Sequence, residues 1–275
     1  MGRTDVSDRQ SDRETHRTHI MSRGYLMVVY ASTSSSSIVS RLLSTAACGT
    51  PLTVCAHSFV DVPYERTSFY LISRDKSSLV STALKLCTEA HGLIDFSKFK
   101  GTHPTLGTVD HVCISPLGGS SDDAAALGPE LGSSLASAIP SVHVYYYGSA
   151  CPNKTSLRQI RKDLGYFTST PSVDVCCVGV VPMVVNFNIR FARGTQDKKL
   201  VSRITSALRV PDAVEALTLS WEDQLEIACN LRKAAEYTPQ QVLASASRMA
   251  LDLGLEIETS YTTGPGEAEL IEMLP

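Results

Sequence analysis

No uninterrupted apolar run in the 275-residue chain approaches the roughly 20 residues that a membrane-crossing helix needs. The longest, Val175 to Val185, is broken by Gly179 and Pro182, so no membrane span is expected. An excess of one charge is also missing, because 25 Lys and Arg stand against 28 Asp and Glu for a net charge of −3. No overall positive field exists to hold nucleic acid, and an anionic ligand needs a local cluster of cations. None of the eight cysteines forms a C-x-x-C pair, and most sit inside apolar runs. Adjacent Cys176 and Cys177 would face opposite sides of a strand and could not share an ion from it. His111-x-Cys113 would place two ligands on one face, but no second pair of suitable spacing accompanies it, so no metal site is expected. Reduced, core-packing thiols and a cytoplasmic location follow as expectations. The G-x-S-x-G elbow, the G-x-x-x-x-G-K-[ST] loop and a strand-anchored G-x-G-x-x-G are absent, which removes the corresponding hydrolase, P-loop and Rossmann readings. Tyr145-Tyr146-Tyr147 lacks the flanking signature of an RNA-binding module and reads as strand packing.

What is present is an ordinary globular composition, 43% hydrophobic and 19% charged, long enough for one large or two moderate domains. Residues 1–23 hold five Arg, four acids and almost nothing apolar before Ile20, and read as a disordered tail. They contain no hydrophobic block for a signal peptide, and the acids argue against a transit peptide. From residue 25 the periodicity predicts strands at 25–30, 52–57, 67–73, 109–115 and 142–147. Helices are predicted at 38–46, at 78–91 ending on Gly92, from Ser121 with a kink or restart at Gly128-Pro129, and at 155–163. The second half predicts a strand at 178–190, a helix at 196–209, strands at 214–221 and 224–231, a helix at 239–252 and a strand at 255–261. Both halves open in the order βαββαβ, which is the ferredoxin-like split unit. The fold expected is therefore α/β (α+β), two tandem ferredoxin-like α/β sandwich subdomains, divided as 24–172 and 173–275. A cleft between two such layers is a usual ligand site.

One loop combines chemistry with shape. Lys98-Phe99-Lys100-Gly101-Thr102-His103-Pro104-Thr105-Leu106-Gly107 holds cations, two glycines, a proline and a histidine between predicted elements. Pro104 biases His103 toward an extended backbone, the glycines permit close approach, and an imidazole on a rigid frame suits proton transfer near neutral pH. His16 and His19 fall in the tail, and His57, His91, His111 and His143 read as structural. Trp221 reads as a core or edge residue.

Lys100-Gly101-Thr102-His103-Pro104-Thr105-Leu106-Gly107-Thr108-Val109-Asp110 resembles the Lys-Gly-x-His-Pro-x-x-Gly-x-x-Asp motif of the formiminotransferase family. Leu93 to Asp95, Val144 to Ala150, Ile160 to Phe167, Asn186 to Ile189, Glu226 to Asn230 and Gly254 to Thr262 match in order, so the likeness covers roughly residues 25–275. It is nearest to plant-type stand-alone members without a cyclodeaminase domain. The resemblance implies transfer of a formimino group from N-formiminoglutamate to N5 of tetrahydrofolate, a folate co-substrate, with His103 as general acid/base. It implies substrate-binding roles for Arg66, Lys100, Gly101, Thr102, Asp110 and Asn188, and it implies a homodimer. Arg190 and Arg193 are further candidate cations on charge alone, and Asp61 is a candidate acidic partner for His103.

Two loops differ from the family pattern. Ala31-Ser32-Thr33-Ser34-Ser35-Ser36-Ser37 replaces an Asn-Phe-Ser-Glu-Gly-Arg-type opening loop, and Thr168 to Val175 is short where the family has a longer folate-contacting stretch. A non-catalytic folate- or small-ligand-binding protein on the same fold therefore stays open beside the transferase, and an RNA-binding or purely structural protein beside both.

Overall fold

Alternation in the first strand sets the architecture. In a computed structural model that describes residues 23–165 and 173–275, β1 (Gly24–Ala31) sends Tyr25, Met27, Val29 and Ala31 into one core and Leu26 and Val28 into another. A strand with apolar residues on both faces has to be covered on both sides. One face is covered by α1 (Ser36–Ala47), α2 (Lys76–Leu93) and α4 (Leu127–Ala138), which supply Leu42, Leu79, Leu86, Leu131 and Leu135 to a common core. Residues 1–22 of the expected tail and residues 166–172 lie outside the described residues, while Arg23 donates its N–H to Leu117 O at 2.8 Å.

The first sheet has six strands: β1, β2 (Thr53–Asp61), β3 (Arg66–Ser73), β4 (Val109–Leu117), β5 (Val142–Gly148) and β6 (Asp174–Val180), in the order β2-β3-β1-β4-β6-β5. The β2-β3-β1-β4 portion is antiparallel and has the ferredoxin-like order, while β5 and β6 add to it in parallel. The second sheet has four strands: β7 (Val185–Phe191), β8 (Val214–Trp221), β9 (Gln224–Leu231) and β10 (Ile257–Thr262), in the order β10-β7-β9-β8. With α6 (Lys198–Leu208) and α7 (Pro239–Asp252) on one face it repeats the same unit. Two tandem α/β sandwich units are thus present, the first enlarged by two strands.

Local chemistry accounts for most of the boundaries. Thr238 and Gln241 form a reciprocal capping box in front of α7, with Pro239 in the first turn where its missing N–H costs nothing. Ser120 and Asp123 do the same for the short α3 (Ser121–Ala124). The helix restarts at Leu127, which leaves Pro129 in the first turn of α4.

Four expectations need correction. The strand expected at 178–190 is two, because Pro182 cannot continue a ladder; β6 belongs to the first sheet and β7 opens the second. The division between the sheets therefore falls at Val181 to Val184 rather than at 172/173. The helix expected to stop at Gly92 runs to Leu93 and is closed by Ile94, whose N–H bonds to Ala90 O. A last helix, α8 (Glu267–Glu272), was not anticipated; it returns to the first sheet and buries Leu270 beside Leu26 and Leu117.

Of the cysteines, Cys176 lies in the main core and Cys177 in a separate cluster under Tyr147 and Ile160, on opposite faces of β6 as alternation requires. Among the described residues no helix is long and apolar enough to cross a membrane.

Candidate active site

The strand residues of the first sheet that point away from its helices, Leu26, Val28, Tyr30, Ser68, His111 and Cys113, face Asn186, Asn188, Ala228 and Asn230 of the second sheet across a cavity of about 230 Å³. The lining divides by chemistry rather than by sheet. Leu26, Val28, Val181, Val184 and Ala228 give an apolar wall, while Arg66, Lys154, Arg158, Arg161 and Arg232 gather cations from both units around the same space. This is the local cationic cluster that the near-neutral composition demands of any anion-binding site.

His103 lines the cavity, and its loop is pinned on both sides of the ring. Before it, the backbone N–H of Lys100 donates to Glu65 Oε2 at 2.7 Å, that of Thr102 donates to Pro63 O at 3.1 Å, and Thr102 Oγ1 donates to Ser220 O at 2.9 Å. Gly101 lies against the Tyr64 carbonyl and the Phe99 ring, with no space for a Cβ. After it, Leu106 N–H donates to Asp110 Oδ1 at 3.0 Å, and Thr108 donates through N and Oγ1 to Asp174 at 2.9 and 2.7 Å. Ser32 Oγ donates to Gly107 O at 2.6 Å. The replaced loop at Ala31 to Ser37 thus braces the His103 loop from behind.

Asp110 is the centre of the charge arrangement. The β1–β4 register slips between Tyr30/His111 and Ala31/Val109, so Asp110 is the extra residue of a β-bulge. The bulge lets the neighbours Asp110 and His111 turn toward each other, with Nδ1 of His111 3.0 Å from Oδ2 of Asp110. The same oxygen accepts from Arg161 Nη2 at 2.5 Å and is ion-paired with Arg66 Nη2 at 3.1 Å. Burial alone would raise this carboxyl; Arg161, Arg66 and the His111 bond outweigh it and hold it well below the usual carboxylate range.

Both imidazoles are turned the same way. Nδ1 of His103 lies 2.7 Å from Pro104 O and 3.2 Å from Arg66 Nη1. A carbonyl only accepts and a guanidinium only donates, so the shorter contact assigns the proton to Nδ1 and leaves Nε2 basic. For His111 the carboxylate at 3.0 Å makes the same assignment, although Arg66 and Arg161 approach Nδ1 to 3.3 and 3.2 Å. Burial, then Arg66 and Arg161, push His103 well below the ordinary imidazole range. Burial pushes His111 down to about 4 against the pull of Asp110. Both rings are neutral at pH 7. Tyr30 stacks on His111 with centroids 4.2 Å apart, and Arg66 lies 4.6 Å above the Tyr30 ring.

The residues singled out in the sequence separate into three groups. His103, Arg66 and Asn188 line the cavity, and Asp110 stands behind them, 1% exposed, holding the two arginines. Lys100, Gly101 and Thr102 shape the loop by backbone and hydroxyl contacts; none of the three lines the cavity. Arg190 is committed to the buried Glu226 at 2.9 Å and to the face of Trp221 at 3.3 Å, and Arg193 pairs with Asp223 on the surface. Asp61 is not the partner of His103: it accepts from Trp221 Nε1 at 3.1 Å and Tyr64 N at 3.2 Å. Arg161 and His111 were not chosen from the sequence. Arg161 comes from α5 (Leu157–Asp163), about fifty residues along the chain, and only the fold brings it to Asp110.

The comparisons with known proteins bear on the family of the chain. The family model of the formiminotransferase domain, N-terminal subdomain, matches residues 25–176, more than half of the chain. A formiminotransferase cyclodeaminase-like protein from Arabidopsis thaliana is 25% identical, with 81% of this chain and 86% of that protein aligned. Among solved structures, a microcompartments protein from Desulfitobacterium hafniense DCB aligns over 89% of this chain and 97% of its own at 9% identity and a TM-score of 0.26, too slight a likeness to bear on fold or function. The chain belongs to the family of the formiminotransferase domain, N-terminal subdomain.

Proposed function

We infer that the chain is a folate-dependent transferase that moves a formimino group from N-formiminoglutamate to tetrahydrofolate, with His103 moving the proton. The observation that carries this reading is the joint presence, in one cavity between the two sheets, of a neutral imidazole with a basic Nε2 and a ring of arginines. Both substrates bear carboxylates, and guanidinium groups on a largely buried site hold carboxylates well. The cavity volume of about 230 Å³ lies just under the range of about 300–1,000 Å³ usual for small-ligand sites. On this reading a flat heteroaromatic ring would lie against Leu26, Val28 and Ala228, and an anionic tail would meet the arginines.

Tetrahydrofolate supplies the nitrogen that receives the one-carbon unit. The chain's own part is positional and protic. Arg66 and Arg161, fixed by Asp110, orient a carboxylate beside the ring of His103. The Pro104 carbonyl fixes the tautomer, so that Nε2 is the nitrogen presented to a substrate. A departing glutamate nitrogen leaves poorly unless protonated, and Nε2 of His103, having first taken up a proton from the attacking nitrogen, is the site from which that proton comes. The apolar wall keeps water from competing for the activated carbon.

A second reading, a folate- or small-ligand-binding protein without turnover, is favoured by the use of Ser32 to brace the His103 loop rather than to contact a ligand. The test is calorimetric titration with tetrahydrofolate followed by formimino transfer with the wild type and His103→Ala. Binding with turnover that His103→Ala abolishes supports the transferase. Binding without turnover selects the second reading, turnover that survives in His103→Ala removes the catalytic role of His103, and absence of folate binding removes both readings.

A further inference from the structure

The cavity contains a second histidine that the reading above does not use. His111 stacks on Tyr30, lines the same cavity as His103, and is held by Asp110 through Nδ1. A buried carboxylate that accepts from one imidazole nitrogen fixes the tautomer and presents the other nitrogen as a base, the logic of an acid–histidine dyad. A single guanidinium, Arg66, touches both rings, with Nη1 at 3.2 Å from His103 and Nη2 at 3.3 Å from His111. The two imidazoles therefore flank one carboxylate-binding cation.

We propose that His111, oriented by Asp110, is a second catalytic residue: its Nε2 takes the proton of the attacking nitrogen while His103 protonates the departing one. The inference rests on the transferase reading and divides its proton transfer between two rings. As the acceptor nitrogen forms its bond to the formimino carbon, its proton goes to Nε2 of His111. The bond from that carbon to the glutamate nitrogen breaks with its electron pair on nitrogen, which receives the proton from Nε2 of His103. His103 takes that proton from solvent beforehand and His111 returns one to solvent afterwards, so the cycle closes. Burial is the first influence that holds the free His103 ring neutral, and a ligand carboxylate paired with Arg66 and Arg161 counters the two that follow it, which favours uptake of the proton on binding. His111 stays the base of the pair because Asp110 holds its Nδ1–H.

The decisive variant is His111→Asn in the full chain. The asparagine amide nitrogen can stand where Nδ1 stands and donate to Asp110, but it leaves nothing at the position of Nε2. The expected result is a kcat lower by about 10²–10⁴-fold with KM nearly unchanged, loss of the acid limb of the kcat/KM profile, and partial recovery with added imidazole. A kcat within about threefold of wild type with the same pH profile overturns the inference and leaves His103 in place. A loss that imidazole does not restore, shared by His111→Gln and accompanied by a lower unfolding midpoint, assigns His111 a structural role and also overturns it. A wild type without any transfer activity overturns the transferase reading and this inference with it.

Discussion

Acidification should destabilise the protein through His111 before any carboxylate in the cluster titrates. The ring is 8% exposed, and its value in the folded chain is about 4. In the unfolded chain it returns to near 6.5. A histidine with a depressed folded value is neutral when folded and charged when unfolded across that window. The unfolded chain then binds more protons, so the contribution is complete above about 6.5 and is lost as pH falls toward about 4. That interval corresponds to about 3 kcal/mol, and at this chain length to a fall in unfolding midpoint of about 6–12 °C. The groups facing the ring are Asp110, Arg66, Arg161 and Tyr30. Arg66 and Arg161 keep their charge throughout, and Asp110, held well below the usual range, keeps its own. Urea unfolding of the wild type and His111→Asn in half-unit steps from pH 7.5 to 4.0 isolates the contribution, because His103 and the surface carboxylates act alike in both. The stability difference between the two proteins should shift by about 3 kcal/mol across the window, with the wild type losing more. Parallel curves would refute the argument, since they would mean that the ring is hydrated or paired in a way that leaves it ordinary.

Asp110→Asn removes the carboxylate between two largely buried arginines and should cost about 3–5 kcal/mol in urea unfolding at pH 7; a loss under about 1 kcal/mol would show that the arginines find other partners or water. Gly101→Ala places a methyl group against the Tyr64 carbonyl and the Phe99 ring, so a destabilisation of about 1–3 kcal/mol and a lower transfer rate are expected together. A fully active and stable alanine variant would mean that the close approach is not needed to seat His103.

Much of the fold is legible in the sequence because its signals are local. The strands at 214–221 and 224–231 and the helix at 239–252 are found where alternation, turns and the Thr238–Gln241 box place them. The strand expected at 178–190 fails because one apolar run serves two sheets, and Pro182 within it is the mark of where the first ends. α8 is short, and its only burial signal, Leu270, depends on the surface to which it returns. In the site, His103 is visible because proline and glycine punctuate its loop. His111 reads as structural because it sits on a strand, and the bulge that turns Asp110 and His111 together is invisible to a period-two pattern. Arg161 depends on a contact across half the unit. Arg190 and Arg193 show the converse: charge alone does not reveal that Glu226 and Asp223 already claim them.

The return of the final helix has a mechanical consequence. The second sheet hangs from the first by Val181 to Val184 at one end and by α8 at the other, where Leu270 is fully enclosed and Gly118 N–H donates to Glu267 at 2.7 Å. A body tethered at one point swings like a door; one tethered at two points is a bridge deck. The gap beneath it keeps its width because Thr102 bonds to Ser220 and Trp221 bonds to Asp61 across the two sheets between those abutments.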